Sequence, residues 1–97
     1  MTVENLNWTV YVMLCADGSL YTGICTNLLR RLHEHNHSDK LGARYTRTRR
    51  PVIVVYQETA PSRSIASQRE HQIQSMTRVQ KVALINAAGQ LPEALVC

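Results

Sequence analysis

The chain has 97 residues, 44% of them hydrophobic and 19% charged, which is the length of one domain and too apolar a composition for disorder. No apolar run nears the ~20 residues of a membrane span and no charged-then-apolar leader opens the sequence, so a single domain over residues 1–97 in a cytoplasmic, membrane-free setting is expected. The formal net charge is +4, and seven of the 11 basic residues lie between Arg30 and Arg50, a local field that favours a polyanionic partner, nucleic acid first. In chain order, Trp8–Cys15 and Leu20–Ile24 are rich in β-branched and aromatic residues and flank Ala16-Asp17-Gly18-Ser19, the pattern of a β-hairpin. Thr26-Asn27 then offers an N-cap, and Leu28, Leu29 and Leu32 recur at helical spacing, which predicts a helix from about Asn27 to Asn36.

Residues 37–50 are polar, contain Gly42 and end at Pro51, so they read as a loop with room for one short helical turn. The unbroken apolar run Val52–Tyr56 reads as a central or well-covered strand. Pro61-Ser62 opens the next helix, capped by Ser62 or Ser64, with Ile65, Ala66, Ile73 and Met76 as its apolar positions. Thr77-Arg78-Val79-Gln80 is a capping-box pattern that starts another helix, with Val79, Val82, Ala83 and Ile85 facing the core and Gly89 at its end. Leu91–Cys97 would form a short closing turn. The order β-β-α-β-α-α gives an α+β fold, a three-stranded sheet flanked by helices.

Several polar side chains interrupt these patterns. Tyr11 and Tyr21 occupy the hairpin strands, Arg31 and His35 share a face of the first helix, and Glu70 falls on the apolar stripe of its helix, between Ala66 and Ile73. A half-buried carboxylate persists when paired or bound to a cation. Hydrolysis of a phosphodiester needs a group that takes a proton from water, a cation on the phosphate oxygens and a hard divalent metal. A tyrosine or histidine, an arginine and a carboxylate form such a set. Arg30, Arg44, Arg47, Arg49 and Arg50, with Tyr45 among them, suit phosphate contact and base stacking. His33, His35 and His37 alternate, and on a helix such positions diverge, so no shared zinc is expected; Cys15, Cys25 and Cys97 contain no CxxC pair.

Val10-Tyr11-Val12, Tyr21-Thr22-Gly23, Arg31 with His35, and Glu70, in this order and spacing, resemble the GIY-YIG endonuclease domain, closest to its small bacterial stand-alone members. Asp17–Gly23, Gly42-Ala43-Arg44-Tyr45-Thr46 and Arg49-Arg50-Pro51-Val52 agree with that subgroup, and the resemblance runs from about Asn7 to Ala88. It implies an antiparallel three-stranded sheet and one divalent ion, Mg²⁺ or Mn²⁺, held by Glu70. It also implies catalytic roles for Tyr11, Tyr21, Arg31 and His35, with Tyr11 favoured as the base, Arg31 on the scissile phosphate, and DNA ahead of RNA as substrate. Ile24 stands where some members carry a lysine, and Asn86 is the only candidate for a late asparagine. A nucleic-acid-binding module without catalysis, and a protein-interaction domain, are the alternative readings.

The hairpin register discriminates among these. A two-residue loop, Asp17-Gly18, would place Tyr11 and Tyr21 on opposite faces. A three-residue loop, Ala16-Asp17-Gly18, pairs Tyr11 with Gly23 and Met13 with Tyr21, which puts both phenols on one face. Asp at the second loop position and Gly at a left-handed third position favour the longer loop. Gly18 is therefore expected at positive φ, with Arg31, His35 and Glu70 converging on the tyrosine face.

Overall fold

The computed structural model describes residues 7–89. Its elements are β1 (Trp8–Leu14), β2 (Leu20–Cys25), α1 (Leu28–His37), α2 (Arg44–Arg47), β3 (Ile53–Ala60), α3 (Arg63–Gln74) and α4 (Arg78–Ala87). The expected turn at Leu91–Cys97 lies outside the described residues. The strands form one antiparallel sheet in the order β2-β1-β3. β1 is thus central, and Val10, Tyr11, Val12 and Met13 are each no more than 1% exposed. Its unbroken apolar run is what burial on both faces demands, with roughly 1.5–3 kcal/mol from each large side chain removed from water.

Of the two expectations for Val52–Tyr56, central or well-covered, the structure overturns the first. β3 is an edge strand that continues through the polar Gln57-Glu58-Thr59 to Ala60. Val52, Val55 and Tyr56 are buried, but Ile53 is 50% exposed. Apolar content reports that a strand meets the core, while its place in the sheet depends on which neighbours it finds.

Alternation along β1 divides the core. Val10, Val12 and Leu14 point to one face, where they join Val55, Tyr56, Ala66, Ile73 and Ile85 from β3, α3 and α4. Tyr11 and Met13 point to the other, with Cys15, Cys25 and Val52, and Leu28 and Leu32 of α1 pack there. The helices therefore cover the sheet from both sides. Their starts follow the sequence: Asn27 accepts from the Arg30 N–H, Ser62 from that of Ile65, and Thr77 and Gln80 form the reciprocal capping box. Two expected core positions are corrected, since Ile65 is 48% and Val79 79% exposed. Ala83 is exposed as well, while Leu84 and Met76 pack at the core margin with the buried Ile73 and Ile85. α3 and α4 each bury a narrow stripe, narrower than the spacing of apolar residues implied. Gly89 has φ +71 just past α4, as a helix C-terminus favours.

Candidate active site

The hairpin turn sets the geometry of the site. The Gly18 N–H donates to the Cys15 carbonyl and the Cys15 N–H to the Ser19 carbonyl, each at 2.9 Å, which closes the three-residue loop. Gly18 sits at φ +87, and the Asp17 carboxylate accepts from the Ser19 N–H and hydroxyl. The register is Tyr11↔Gly23 and Met13↔Tyr21, so both tyrosines lie on one face, with ring centroids 6.4 Å apart. Gly23 is required for this. A Cβ on it would collide with the Tyr11 hydroxyl and come within 2.6 Å of ring carbon Cζ.

α1 crosses this face and delivers His35, which is fully buried. The Tyr11 hydroxyl and His35 Nε2 are 2.9 Å apart, and the Tyr21 ring meets the imidazole edge-on at 5.2 Å. The other imidazole nitrogen, Nδ1, lies 2.9 Å from the Thr46 hydroxyl on α2. Burial, then the charges of Arg31 and Arg50, with Glu34 opposing, lower the His35 pKa to about 4. The ring is therefore neutral at physiological pH. Burial raises the Tyr11 pKa, with the Arg31 charge opposing. Burial raises that of Tyr21 too; Arg31 opposes and the Glu70 charge adds.

Arg31, one turn before His35, is braced. Its Nη1 donates to Glu34 Oε1 at 2.9 Å and to the Leu41 carbonyl at 2.6 Å. The guanidinium also lies within hydrogen-bonding reach of the Tyr11 and Tyr21 hydroxyls. Glu70 comes from α3, in the opposite layer, and its charge is felt at Tyr21. It makes no ion pair among the described residues, and partial burial raises its pKa. Tyr11, Tyr21, Arg31 and His35 thus stand together; Glu70, on a helix that packs on the other face of the sheet, contrary to expectation does not join the tyrosine face, and its charge alone links it to Tyr21.

With this geometry in place, the comparisons are decisive. Residues 7–83 match the GIY-YIG catalytic domain. The chain belongs to the GIY-YIG family. A UPF0213 protein of Desulfotalea psychrophila is 56% identical over 81 residues, which cover 84% of this chain and 73% of that one. A UPF0213 protein of Staphylococcus haemolyticus is 49% identical over 76 residues, covering 78% and 90%. Solution NMR structures of a UPF0213 protein from Bacillus halodurans and of a protein from E. faecalis superpose with TM-scores of 0.57 and 0.59. Their identities are 34% and 39%, and the matches cover 93% and 86% of this chain and 94% and 86% of theirs. GIY-YIG domains are nuclease-like catalytic domains, and this one joins the UPF0213 group at that level.

Within the GIY-YIG domain the basic cluster divides in two. Arg50 closes the C-terminus of α1: Nε donates to the His35 carbonyl at 2.6 Å, Nη2 to the Ser38 carbonyl, and Nη1 pairs with Asp39, which suits the negative end of the helix dipole. Arg49 pairs with Asp17 at 3.0 Å, donates to the Tyr45 carbonyl, and lies 4.0 Å above the Tyr45 ring. Tyr45 in turn stacks on Tyr21 at 5.7 Å. Arg30, Arg44 and Arg47 are exposed; Arg30 reaches Glu34 at 3.6 Å. His33 and His37 lie on the exposed side of α1, away from the buried His35. The Asn86 position is exposed on α4. No helix of the described residues is long and apolar enough to cross a membrane.

Two residues of this arrangement were missed in the sequence. Thr46 is fully buried against His35, and Glu34 holds Arg31. An Arg and a Glu three apart on a helix are a legible pair. Thr46 stands in the Gly42–Thr46 stretch that agrees with the subgroup, but its role was not legible, since its partner is contributed by another helix.

A divalent ion fits the donor chemistry. Glu70 is a partly desolvated carboxylate with no cation beside it among the described residues. Among the described residues no group of three or more His, Cys, Asp or Glu side chains gathers. A single hard oxygen ligand suits Mg²⁺, which retains several waters.

Proposed function

We propose that this protein is a divalent-metal-dependent nuclease that hydrolyses phosphodiester bonds of nucleic acid, DNA in preference to RNA. The observation that carries the reading is the 2.9 Å contact between the Tyr11 hydroxyl and a buried, neutral His35. A phenol alone, with its pKa raised by burial, is a poor base at neutral pH. A phenol that hands its own proton to an imidazole as it receives one from water avoids a free phenolate. Tyr11, the tyrosine with the imidazole acceptor at 2.9 Å, is the one this reading makes the base. Arg31, braced through Nη1, holds the phosphate with its guanidinium and opposes the charge developing there. The negative phosphate in turn favours the transient imidazolium. Glu70 would hold Mg²⁺ or Mn²⁺, which supplies Lewis-acid stabilisation of the phosphoryl oxygens. Arg30, Arg44 and Arg47 are the exposed charges available to the backbone on either side, and the Tyr45 ring offers a stacking face.

The test is incubation of the pure protein with nicked, branched, single- and double-stranded DNA and RNA in Mg²⁺, Mn²⁺ or EDTA. Cleavage that needs the ion, and that Tyr11→Phe and His35→Gln each reduce about 100-fold or more, supports the reading. Cleavage in EDTA, or unchanged rates in both variants, would sink it. The 1% exposure of Tyr11 favours a second reading, binding without hydrolysis. In this conformation the hydroxyl is out of reach of bulk water. Tight binding with no cleavage on any substrate of the panel would establish it.

A further inference from the structure

The proton inventory around His35 is over-determined by α2. Thr46 Oγ1 lies 2.9 Å from His35 Nδ1 and 3.0 Å from the Ala43 carbonyl, to which its hydroxyl donates. With that hydrogen so placed, Oγ1 presents lone pairs to Nδ1, and the 2.9 Å contact requires a hydrogen on Nδ1. A neutral imidazole protonated at Nδ1 leaves Nε2 bare, so Nε2 accepts from the Tyr11 hydroxyl. The chain Tyr11 O–H, His35 Nε2, His35 Nδ1–H, Thr46 Oγ1, Thr46 O–H, Ala43 carbonyl then runs in one direction with every hydrogen used.

The opposite tautomer would have the Thr46 hydroxyl turn from the Ala43 carbonyl to donate to Nδ1, and the Ala43 N–H approaches Nδ1 at 3.4 Å. That is beyond the usual range for a hydrogen bond of this type, and Ala43 is only half-buried, so water can serve its N–H. The opposite tautomer would also turn Nε2–H toward Tyr11. The buried Tyr11 hydroxyl hydrogen would then have no acceptor among the described residues, a costlier defect than a long contact at a half-exposed amide.

We infer that Thr46 is a positioning residue that fixes His35 as the Nδ1–H tautomer, and so makes Nε2 the acceptor for the Tyr11 proton. The catalytic meaning of this assignment rests on the function proposed above; the assignment itself does not. When the Tyr11 proton moves to Nε2, the imidazolium keeps Nδ1–H on Thr46 Oγ1, and the positive charge meets an oxygen already in place.

The experiment is ¹⁵N NMR of the histidine side chains in the full chain near pH 7, with His35→Gln identifying the resonances. Nδ1 at the protonated position and Nε2 at the bare-nitrogen position are expected in the unaltered protein and in Thr46→Ser. In Thr46→Val the Nδ1 hydrogen loses its acceptor, and the ring should convert to the Nε2–H form. An Nε2–H ring in the unaltered protein, or an unchanged ring in Thr46→Val, would overturn the inference. Should the valine variant not fold, the tautomer of the unaltered protein and of Thr46→Ser still decides. Where the unaltered protein cleaves, Thr46→Val should lose about 100-fold in rate at unchanged substrate affinity, and Thr46→Ser should restore most of it. The Nδ1–H ring in a protein that cleaves nothing would refute the nuclease reading while upholding the role of Thr46.

Discussion

Acid should unfold this protein in a way traceable to His35. The side chain is fully buried, and its pKa is lowered from 6.5 to about 4, by burial first, then by Arg31 and Arg50, against Glu34. The unfolded chain returns it to about 6.5. Between those values the unfolded state binds a proton that the folded state does not, so stability falls as pH falls through the window. At about 1.4 kcal/mol per pH unit, the loss is about 2 kcal/mol by pH 5 and about 3 kcal/mol once the folded value is passed. That is a large share of the roughly 5–15 kcal/mol expected for a domain. The assay is urea unfolding followed by circular dichroism at pH 7.5, 6 and 5, for the unaltered protein and His35→Gln. The variant keeps a hydrogen-bonding side chain but cannot titrate, and the surface carboxylates act alike in both. With a urea dependence of about 1 kcal/mol per M for a chain of this size, the midpoint of the unaltered protein should fall by about 2 M more than that of the variant. Parallel pH dependences in the two proteins would refute the reasoning, as would a His35 titration near 6.5 by NMR.

Gly23→Ala should displace the Tyr11 ring, because the added Cβ meets its hydroxyl and Cζ. The expected cost is about 1–3 kcal/mol, read by urea unfolding, with loss of the Tyr11–His35 contact read from the ring resonances. Glu70→Ala should fold, bind nucleic acid as before and lose divalent-dependent cleavage; unchanged cleavage in a metal titration would remove Glu70 from the site. Neutralising Arg44 and Arg47, which are exposed, should each lower the slope of log affinity against log salt by about 1, and a slope indifferent to both would point to a protein partner. Ile73→Ala, at a fully buried core position, should cost about 2–5 kcal/mol in the same unfolding assay.

What the sequence by itself determined is what short-range chemistry controls. Asp17 and Gly18 specify the turn, the turn specifies the Tyr11↔Gly23 register, and the register puts two phenols on one face, since strand side chains alternate strictly. Asn27, Ser62 and Thr77 mark helix starts because each cap bonds an amide three residues on. Periodicity stops being informative where the answer depends on a partner far along the chain. Val52–Tyr56 reads as a central or well-covered strand and proves to be a covered edge, because nothing within five residues states which strand will pair on either side. Ile65 and Val79 have core-like spacing and face water, because the width of a buried stripe is set by the surface it meets. Only tertiary structure turned Arg49 and Arg50 inward, onto Asp17, Tyr45 and the end of α1. It also brought Thr46 to His35, 11 residues away. A buried imidazole must find a partner for each ring nitrogen, and only the folded chain decides which hydroxyl is within reach.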